Sequence, residues 1–123
     1  MIARYIRLYA DDSGESHFAD VAEELTLVDF APPAAPLNLS SFLPASKIAF
    51  FAAPRGWQSD WHTSGARNLF VVISGVWEIT VSDGETRQFS SGSIVLVEDT
   101  RGKGHTSRVV GDEDSLAVLV QLS

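Results

Sequence analysis

The stretch Gly56-Trp-Gln-Ser-Asp-Trp-His62-Thr-Ser64-Gly-Ala-Arg-Asn68-Leu-Phe-Val-Val-Ile-Ser-Gly75 decides the fold of this 123-residue chain. A glycine stands at each end, a histidine lies in the first half, and an apolar run fills the second half. The apolar run predicts one strand, and the polar piece around the histidine predicts another strand before it.

A second stretch, Gly92-Ser-Ile-Val-Leu-Val-Glu98-Asp-Thr-Arg-Gly102-Lys-Gly-His105, repeats this combination of glycines, an apolar strand and a histidine. Its glycines are turn residues, because glycine adopts positive φ without steric cost. We read Gly102 to His105 as a turn that leads into a further strand.

These two stretches resemble the two signature motifs of the cupins. The first motif of that family has Gly, five residues, His-x-His, three or four residues, Glu, six residues and Gly. This chain keeps both glycines and His62, but has Ser64 and Asn68 in place of the second histidine and the glutamate. In the second motif Glu98 replaces a proline, and two additional residues precede the Gly-x-x-His step that ends at His105. The resemblance implies an all-β fold, the cupin double-stranded β-helix or jelly-roll barrel, with little helix.

The rest of the chain fits a single cupin domain over residues 1–123, with N-terminal strands and a Pro-rich strap in 1–46 and the barrel in 47–123. Short apolar runs separated by turn residues are typical of sandwiches and barrels. The predicted barrel strands lie near 47–53, 59–63, 68–74, 76–82, 85–89, 93–98, 105–110 and 115–122. Asp83-Gly84 predicts a type I′ hairpin turn. A helix is expected, at most, as a short piece around Asp20–Glu24 or Ser40–Leu43.

The N-terminal part predicts strands at Arg4–Tyr9 and Glu24–Val28. Phe30–Pro36 contains three prolines and cannot be a central strand, because proline lacks the ladder donor. The last strand, Leu116–Leu122, is apolar on nearly every residue, which suits a strand covered on both faces. We expect the N-terminal strands to supply the outer cover, within the chain or across a homodimer.

Composition excludes several classes of function. Sixteen acidic residues against nine basic ones give a net charge of -7, so nucleic acid is not an expected partner. No cysteine is present, which removes disulfides, thiolate ligands and cysteine catalysis. Neither a signal-peptide pattern nor an apolar run of about 18 residues is found, so we expect a cytoplasmic protein without membrane contact.

The candidate site lies inside the predicted barrel. Strand alternation puts Asp60, His62 and Ser64 on one face. If that face points inward, the lining consists of His62, Ser64, Asn68, Phe70 and His105, with Asp60 and Glu98 near the mouth. Of the three tryptophans, Trp61 is a candidate for ligand contact beside His62, although tryptophans are more often core or interface residues.

Two chemistries suit these residues. His62 and His105 are candidate acid and base groups, with Asp60 orienting His62, because imidazole titrates nearest to neutral pH. The same two histidines are candidate ligands for a weakly bound divalent metal such as Fe, Mn, Ni or Zn. Serine and asparagine are poor substitutes for the missing ligands, although Glu98 or Asp99 would complete a two-His-one-carboxylate set by moving inward.

Two functions therefore remain open. The first is a cupin that binds a small organic ligand through His62 and His105 without proven catalysis. The second is a metal-dependent or acid–base enzyme of isomerase, lyase or dioxygenase type acting on a small polar substrate. The enzyme interpretation predicts that His62→Ala and His105→Ala leave the melting temperature nearly unchanged while abolishing ligand binding or turnover.

Overall fold

Eleven β-strands and no α-helix make up the computed structural model, which describes residues 1–123. The all-β prediction is confirmed. Neither short helix forms, because Asp20–Glu24 lies within a strand and Ser40–Leu43 has no helical turn. No helix of the length and hydropathy needed to cross a membrane is present. The strands are β1 (Ile2–Ala10), β2 (Ser16–Glu24), β3 (Thr26–Val28), β4 (Leu37–Leu39), β5 (Ala45–Ala53), β6 (Asn68–Ser74), β7 (Val76–Val81), β8 (Thr86–Phe89), β9 (Ile94–Val97), β10 (His105–Val110) and β11 (Ser115–Leu122).

The strands form two main sheets. One has the order β2-β1-β9-β6-β11-β5 and the other the order β10-β7-β8, while β3 and β4 pair separately. The chain passes between the two main sheets several times, so that strands from different hairpins become neighbours in each sheet. This interleaved order defines a jelly roll. The strands predicted after residue 67 agree with the observed ones to within one residue at each end.

The space between the sheets holds one hydrophobic core. Trp77 lies near its centre with only 2% of its surface exposed, and its indole N–H donates to the Ser115 hydroxyl at 2.6 Å. A buried indole needs such a partner, because an unpaired polar group in the core is costly. The buried apolar residues of the core are Leu8, Phe18, Ala53, Phe70, Val72, Trp77, Ile79, Val81, Phe89, Val95, Val109 and Ala117.

The strand predicted at 59–63 does not form. Only two isolated bridges join this segment to β10, from Gln58 to Arg108 and from His62 to His105. Between them, the Ser59 hydroxyl accepts the Ser107 N–H at 3.0 Å. A side-chain oxygen thus replaces the backbone acceptor of a ladder, and the irregular segment 57–67 begins along the free edge of β10.

The hairpin between β7 and β8 is also different from the prediction. A type I′ turn needs positive φ at both central residues, but only glycines have positive φ in this chain, with Gly84 at 97°. The Val81 carbonyl accepts the Gly84 N–H at 3.1 Å, and the Val81 N–H donates to the Glu85 carbonyl at 3.0 Å. This pattern is a three-residue loop with glycine in the left-handed position.

The N-terminal hairpin supports the segment that carries His105. Strand β1 joins the large sheet by parallel pairing with β9, and β2, which the sequence did not predict at Ser16–Glu24, pairs with β1. The turn between them packs on residues 102–104. The Gly14 carbonyl accepts the Lys103 N–H at 2.9 Å, and the Ser16 hydroxyl donates to the Gly104 carbonyl at 2.6 Å.

The outer face of β5, β11 and β6 has no cover within the chain. The prediction that the N-terminal strands provide this cover is wrong for a single chain, because β1 and β2 extend the opposite edge of the same sheet. Strand β5 forms the other edge, where Ile48 is 69% exposed and Phe50 is 83% exposed. The Pro-rich segment, as predicted, is not a strand and connects β3 to β4.

Candidate functional site

The two histidines lie side by side at one end of the barrel. Their ring centroids are 4.6 Å apart. The backbone holds them together, since the His62 N–H donates to the His105 carbonyl at 3.0 Å and the His105 N–H donates back at 2.9 Å. His105 is 6% exposed, whereas His62 is exposed to solvent. One imidazole therefore lies inside the barrel and the other at its mouth.

Both imidazoles line a cavity of about 150 Å³. An apolar cavity of roughly this volume is large enough for benzene. All five residues that the sequence placed in the lining reach it. The lining consists of Phe51, Trp57, His62, Ser64, Asn68, Phe70, Trp77, Ile79, Val97, His105, Ser107 and Leu119.

A buried carboxylate stands behind His105. Asp99 is completely buried, and its Oδ2 lies 2.6 Å from the His105 Nδ1. Its other oxygen, Oδ1, is buried with no partner in the protein. Because a carboxylate accepts hydrogen bonds, Nδ1 carries a proton and Nε2 is the nitrogen left for the cavity. The sequence analysis considered Asp99 only as a metal ligand, but the structure places it on the far side of the imidazole.

His62 is oriented by backbone and not by a carboxylate. Its Nδ1 lies 2.9 Å from the Asp60 carbonyl oxygen. The predicted role for the Asp60 carboxylate is therefore wrong, because residues 59–63 do not form the regular strand on which the alternation argument depended. The Asp60 carbonyl fixes the proton on Nδ1 and leaves the second ring nitrogen, Nε2, without a protein partner.

Two other predicted contacts lie outside the cavity. Val97 lines the cavity, so the adjacent Glu98 points to the opposite face. There it pairs with Arg7 at 2.5 Å and Arg67 at 2.7 Å. Burial opposes ionisation of the Glu98 carboxyl, but the two guanidinium groups outweigh it and lower its pKa. Trp61 does not line the cavity and is 53% exposed.

Most of the aromatic wall was not predicted from the sequence. Phe51 stacks on Trp77 with centroids 5.6 Å apart, and Phe70 and Trp57 meet the same indole edge-on at 5.5 and 5.7 Å. Alternation along β5 carried the signal for Phe51, since its neighbours Phe50 and Ala52 are outward. No sequence signal identified Trp57 as the tryptophan in the wall.

The donor set does not fit the metal centre that the cupin resemblance implies. Nowhere in the structure do three His, Cys, Asp or Glu side chains come together in a way that would hold a metal ion. Of the two carboxylates that might complete a set, Asp99 binds the back of His105 and Glu98 is held by two arginines. Two imidazoles alone fall short of the three or four protein ligands that usual sites for such ions provide.

No protein-family model matches the sequence, and no curated protein matches it. Among solved structures, a conserved protein of unknown function from Streptococcus pyogenes is 22% identical, with a TM-score of 0.47 over 62% of each chain. A protein from Neisseria meningitidis is 20% identical, with a TM-score of 0.46 over 62% of this chain and 72% of that one. CapF, solved with the inhibitor 3-isopropenyl-tropolone, is 15% identical, with a TM-score of 0.44 over 77% of this chain and 30% of CapF.

The chain thus spans 62% of the length of the Streptococcus pyogenes protein. TM-scores below 0.5 are too low to carry fold or function from these proteins to this chain. The jelly-roll assignment depends instead on the strand order and register of the two sheets.

Proposed function

We propose that this chain is a small cupin-like protein that binds a small organic molecule in the barrel cavity, with His105 as its polar anchor. The observation that carries the proposal is the Asp99–His105 pair. Burying a charged or strongly polar pair costs free energy that well-packed apolar residues would not. Such a pair beside a cavity is typical of functional sites, because it presents a positioned ring nitrogen to whatever fills the cavity.

The cavity around the pair has the general features of a ligand site. Its floor is aromatic and its polar groups converge at one end, where Ser64, Asn68 and Ser107 accompany the histidines. Ligand sites commonly combine a mostly apolar wall with a few placed polar groups. The exposed position of His62 at the mouth provides a group that a ligand meets as it enters.

Acid–base catalysis is a second candidate, supported by the same Asp99–His105 contact. A proton taken from a bound molecule by the His105 Nε2 would create an imidazolium, which the Asp99 carboxylate would stabilise. His62 is close enough to act on the same molecule. An isomerase or lyase reaction of this kind uses only residues that line the site, whereas a dioxygenase would need a metal that the donor set does not fit.

Filling the cavity from β10 tests ligand binding directly. Ser107 lines the cavity, so Ser107→Phe is expected to block it, while Thr106→Phe, on the opposite face of the same strand, leaves it open. We expect a screen of small aromatic and alicyclic compounds, read by saturation-transfer NMR, to give signals with the wild type and Thr106→Phe. These signals should fall at least about tenfold with Ser107→Phe. Equal signals from both variants would contradict the proposed site.

We also propose a homodimer, with the partner lying on the outer face of β5, β11 and β6 and not on the N-terminal strands. Large contiguous apolar patches are rare on monomers, and an unprotected edge strand favours pairing with another chain. The register places Phe50 opposite Val118, which is itself opposite Val71, so apolar residues continue across three strands.

Phe50→Asp tests the dimer. A charge in the centre of an apolar interface is left without a partner, so we expect wild type to sediment as a dimer at micromolar concentration and Phe50→Asp as a folded monomer. Leu27→Asp, at a 64% exposed apolar residue on β3, is the matched control and should remain dimeric. A monomeric wild type would reject the dimer.

A further inference from the structure

Hydrogen bonds around the cavity place the proton on Nδ1 in both imidazoles. The proton on His105 Nδ1 is held by Asp99 at 2.6 Å, and the proton on His62 Nδ1 by the Asp60 carbonyl at 2.9 Å. A neutral imidazole with a proton on Nδ1 has an acceptor at Nε2. Both histidines, in their neutral form, therefore offer acceptors and not donors to a bound molecule.

Asn68 adds a third acceptor. The Ser64 hydroxyl donates to the Ala66 carbonyl, so it accepts from the Asn68 side chain at 3.2 Å, which identifies the contacting atom as the amide nitrogen. The amide oxygen is then the group of Asn68 without a protein partner. Two donors also remain unused among the polar side chains that line the cavity, the Ser107 hydroxyl and the second N–H of the Asn68 amide.

Charge excludes anions from this site. No lysine or arginine lines the cavity. The two arginines adjacent in sequence to lining residues are held by carboxylates outside the cavity, Arg67 by Glu98 and Arg108 by Glu78. The buried carboxylate of Asp99 lies directly behind His105, and like charges repel strongly where water is excluded. A carboxylate or phosphate would therefore enter without a fixed cation to pair with.

The walls and volume define the body of the ligand. Four aromatic rings from Phe51, Trp57, Phe70 and Trp77 form one mutually packed wall. Flat rings pack well on such a wall by offset or edge-to-face contact. About 150 Å³ is room for a single ring with a short substituent.

We infer that the site takes a small, neutral aromatic molecule bearing a hydroxyl donor, that is, a phenol. This inference depends on the proposed ligand-binding function and specifies it. The ring lies on the aromatic wall, and the hydroxyl donates its one hydrogen bond to His105 Nε2, which belongs to the more buried of the two histidines. A neutral phenol supplies this donor and adds no anion beside Asp99.

Three probes of similar size test the three features separately. Toluene has the ring alone, phenol adds a hydroxyl donor, and benzoate adds a negative charge. Binding is followed at about pH 8, above the ordinary titration range of histidine and below that of a phenol, by the indole N–H signals in ¹H–¹⁵N spectra. Trp57 and Trp77 report on the cavity, and Trp61, which lies outside it, is the internal control. We expect phenol to bind at least about tenfold more tightly than toluene, which matches one good hydrogen bond to a buried acceptor. Benzoate should bind no better than toluene.

The outcomes separate the two proposals. Binding of toluene or benzoate as tight as that of phenol would overturn the phenol assignment and leave the ligand-binding function intact. If none of the three shifts Trp57 or Trp77 up to its solubility limit, the proposed function itself fails. Shifts at Trp61 equal to those at Trp57 would indicate surface association and would count against both.

Discussion

His105→Ala is expected to lower the free energy of unfolding by about 3–5 kcal/mol, the usual cost of leaving a buried charged group without its partner. His105 is the only hydrogen-bond partner of the Asp99 side chain, whose other oxygen has none. Without the imidazole, a completely buried carboxyl group has no partner at all. His62→Ala, at an exposed residue whose side chain bonds only a local carbonyl, should cost less than about 1 kcal/mol.

A double-mutant cycle in urea provides the measurement. Asp99→Ala with His105→Ala removes both polar groups, so the double variant should be less destabilised than the sum of the single variants by about 1–3 kcal/mol. A loss of under 1 kcal/mol for His105→Ala, equal to that for His62→Ala, would show that the pair has no structural role. The structure thus distinguishes the two histidines, and for His105 it predicts a loss of stability where the enzyme interpretation of the sequence predicted almost none.

This difference affects how the ligand site is tested. Loss of binding in His105→Ala would not distinguish unfolding of the protein from loss of the side chain that anchors the ligand. Asp99→Asn is the better variant for that purpose, because it keeps the shape of the buried side chain while the charge is removed. Its amide can donate to Nδ1 and so move the imidazole proton to Nε2. Under the acid–base mechanism the variant should reduce turnover strongly, and a phenol should bind more weakly, because Nε2 is then no longer an acceptor.

Much of the fold was readable from the sequence, because glycines and period-two alternation depend on local backbone geometry. Strands β6, β7, β9 and β11 follow mainly apolar runs with the length of one strand, and the more polar β8 and β10 were located by the turn residues that bound them. The irregular segment at 57–67 was not readable, because it depends on a contact with β10, forty-eight positions along the chain, in which the Ser59 hydroxyl replaces a backbone acceptor. Strand β2 was missed because its charged residues lie at both parities: Asp20 shares the parity of the buried Phe18, and Glu23 has the opposite one, so the apolar residues show no period of two.

Part of the candidate site was likewise predicted from the sequence and part was not. Motif spacing identified His62, Asn68 and His105, since spacing in a jelly roll determines which residues face inward. It did not assign Asp99, because β9 ends at Val97 and spacing alone does not show which side chain a residue beyond the strand contacts; alternation nevertheless continues from Val97 and directs this carboxylate inward, toward His105. Adjacent positions in the sequence thus have opposite roles: Glu98 is neutralised by arginines outside the barrel, while Asp99 is paired inside it.

Gly104→Ala is expected to separate the two imidazoles and to destabilise the fold by about 3 kcal/mol or more. Gly104 has a φ of 76°, where an alanine costs roughly 1–2 kcal/mol. A Cβ atom there would also overlap the carbonyl group of His62 and lie 3.0 Å from the Thr63 amide nitrogen. The backbone of His62 would have to move, and with it the two hydrogen bonds to His105.

Gly84→Ala is the matched control. Gly84 also has positive φ, at 97°, but a Cβ atom there meets nothing within 4 Å. This variant therefore carries the conformational cost alone, and the difference between the two unfolding free energies isolates the contact of Gly104 with His62. Urea unfolding measures that difference, and cross-relaxation between the two imidazole rings reports their separation. The proposal is contradicted if Gly104→Ala lowers the unfolding free energy no more than Gly84→Ala and the two rings stay in contact. In that case the segment around His62 has moved without a loss of stability, and the close packing of Gly104 does not hold the histidines together.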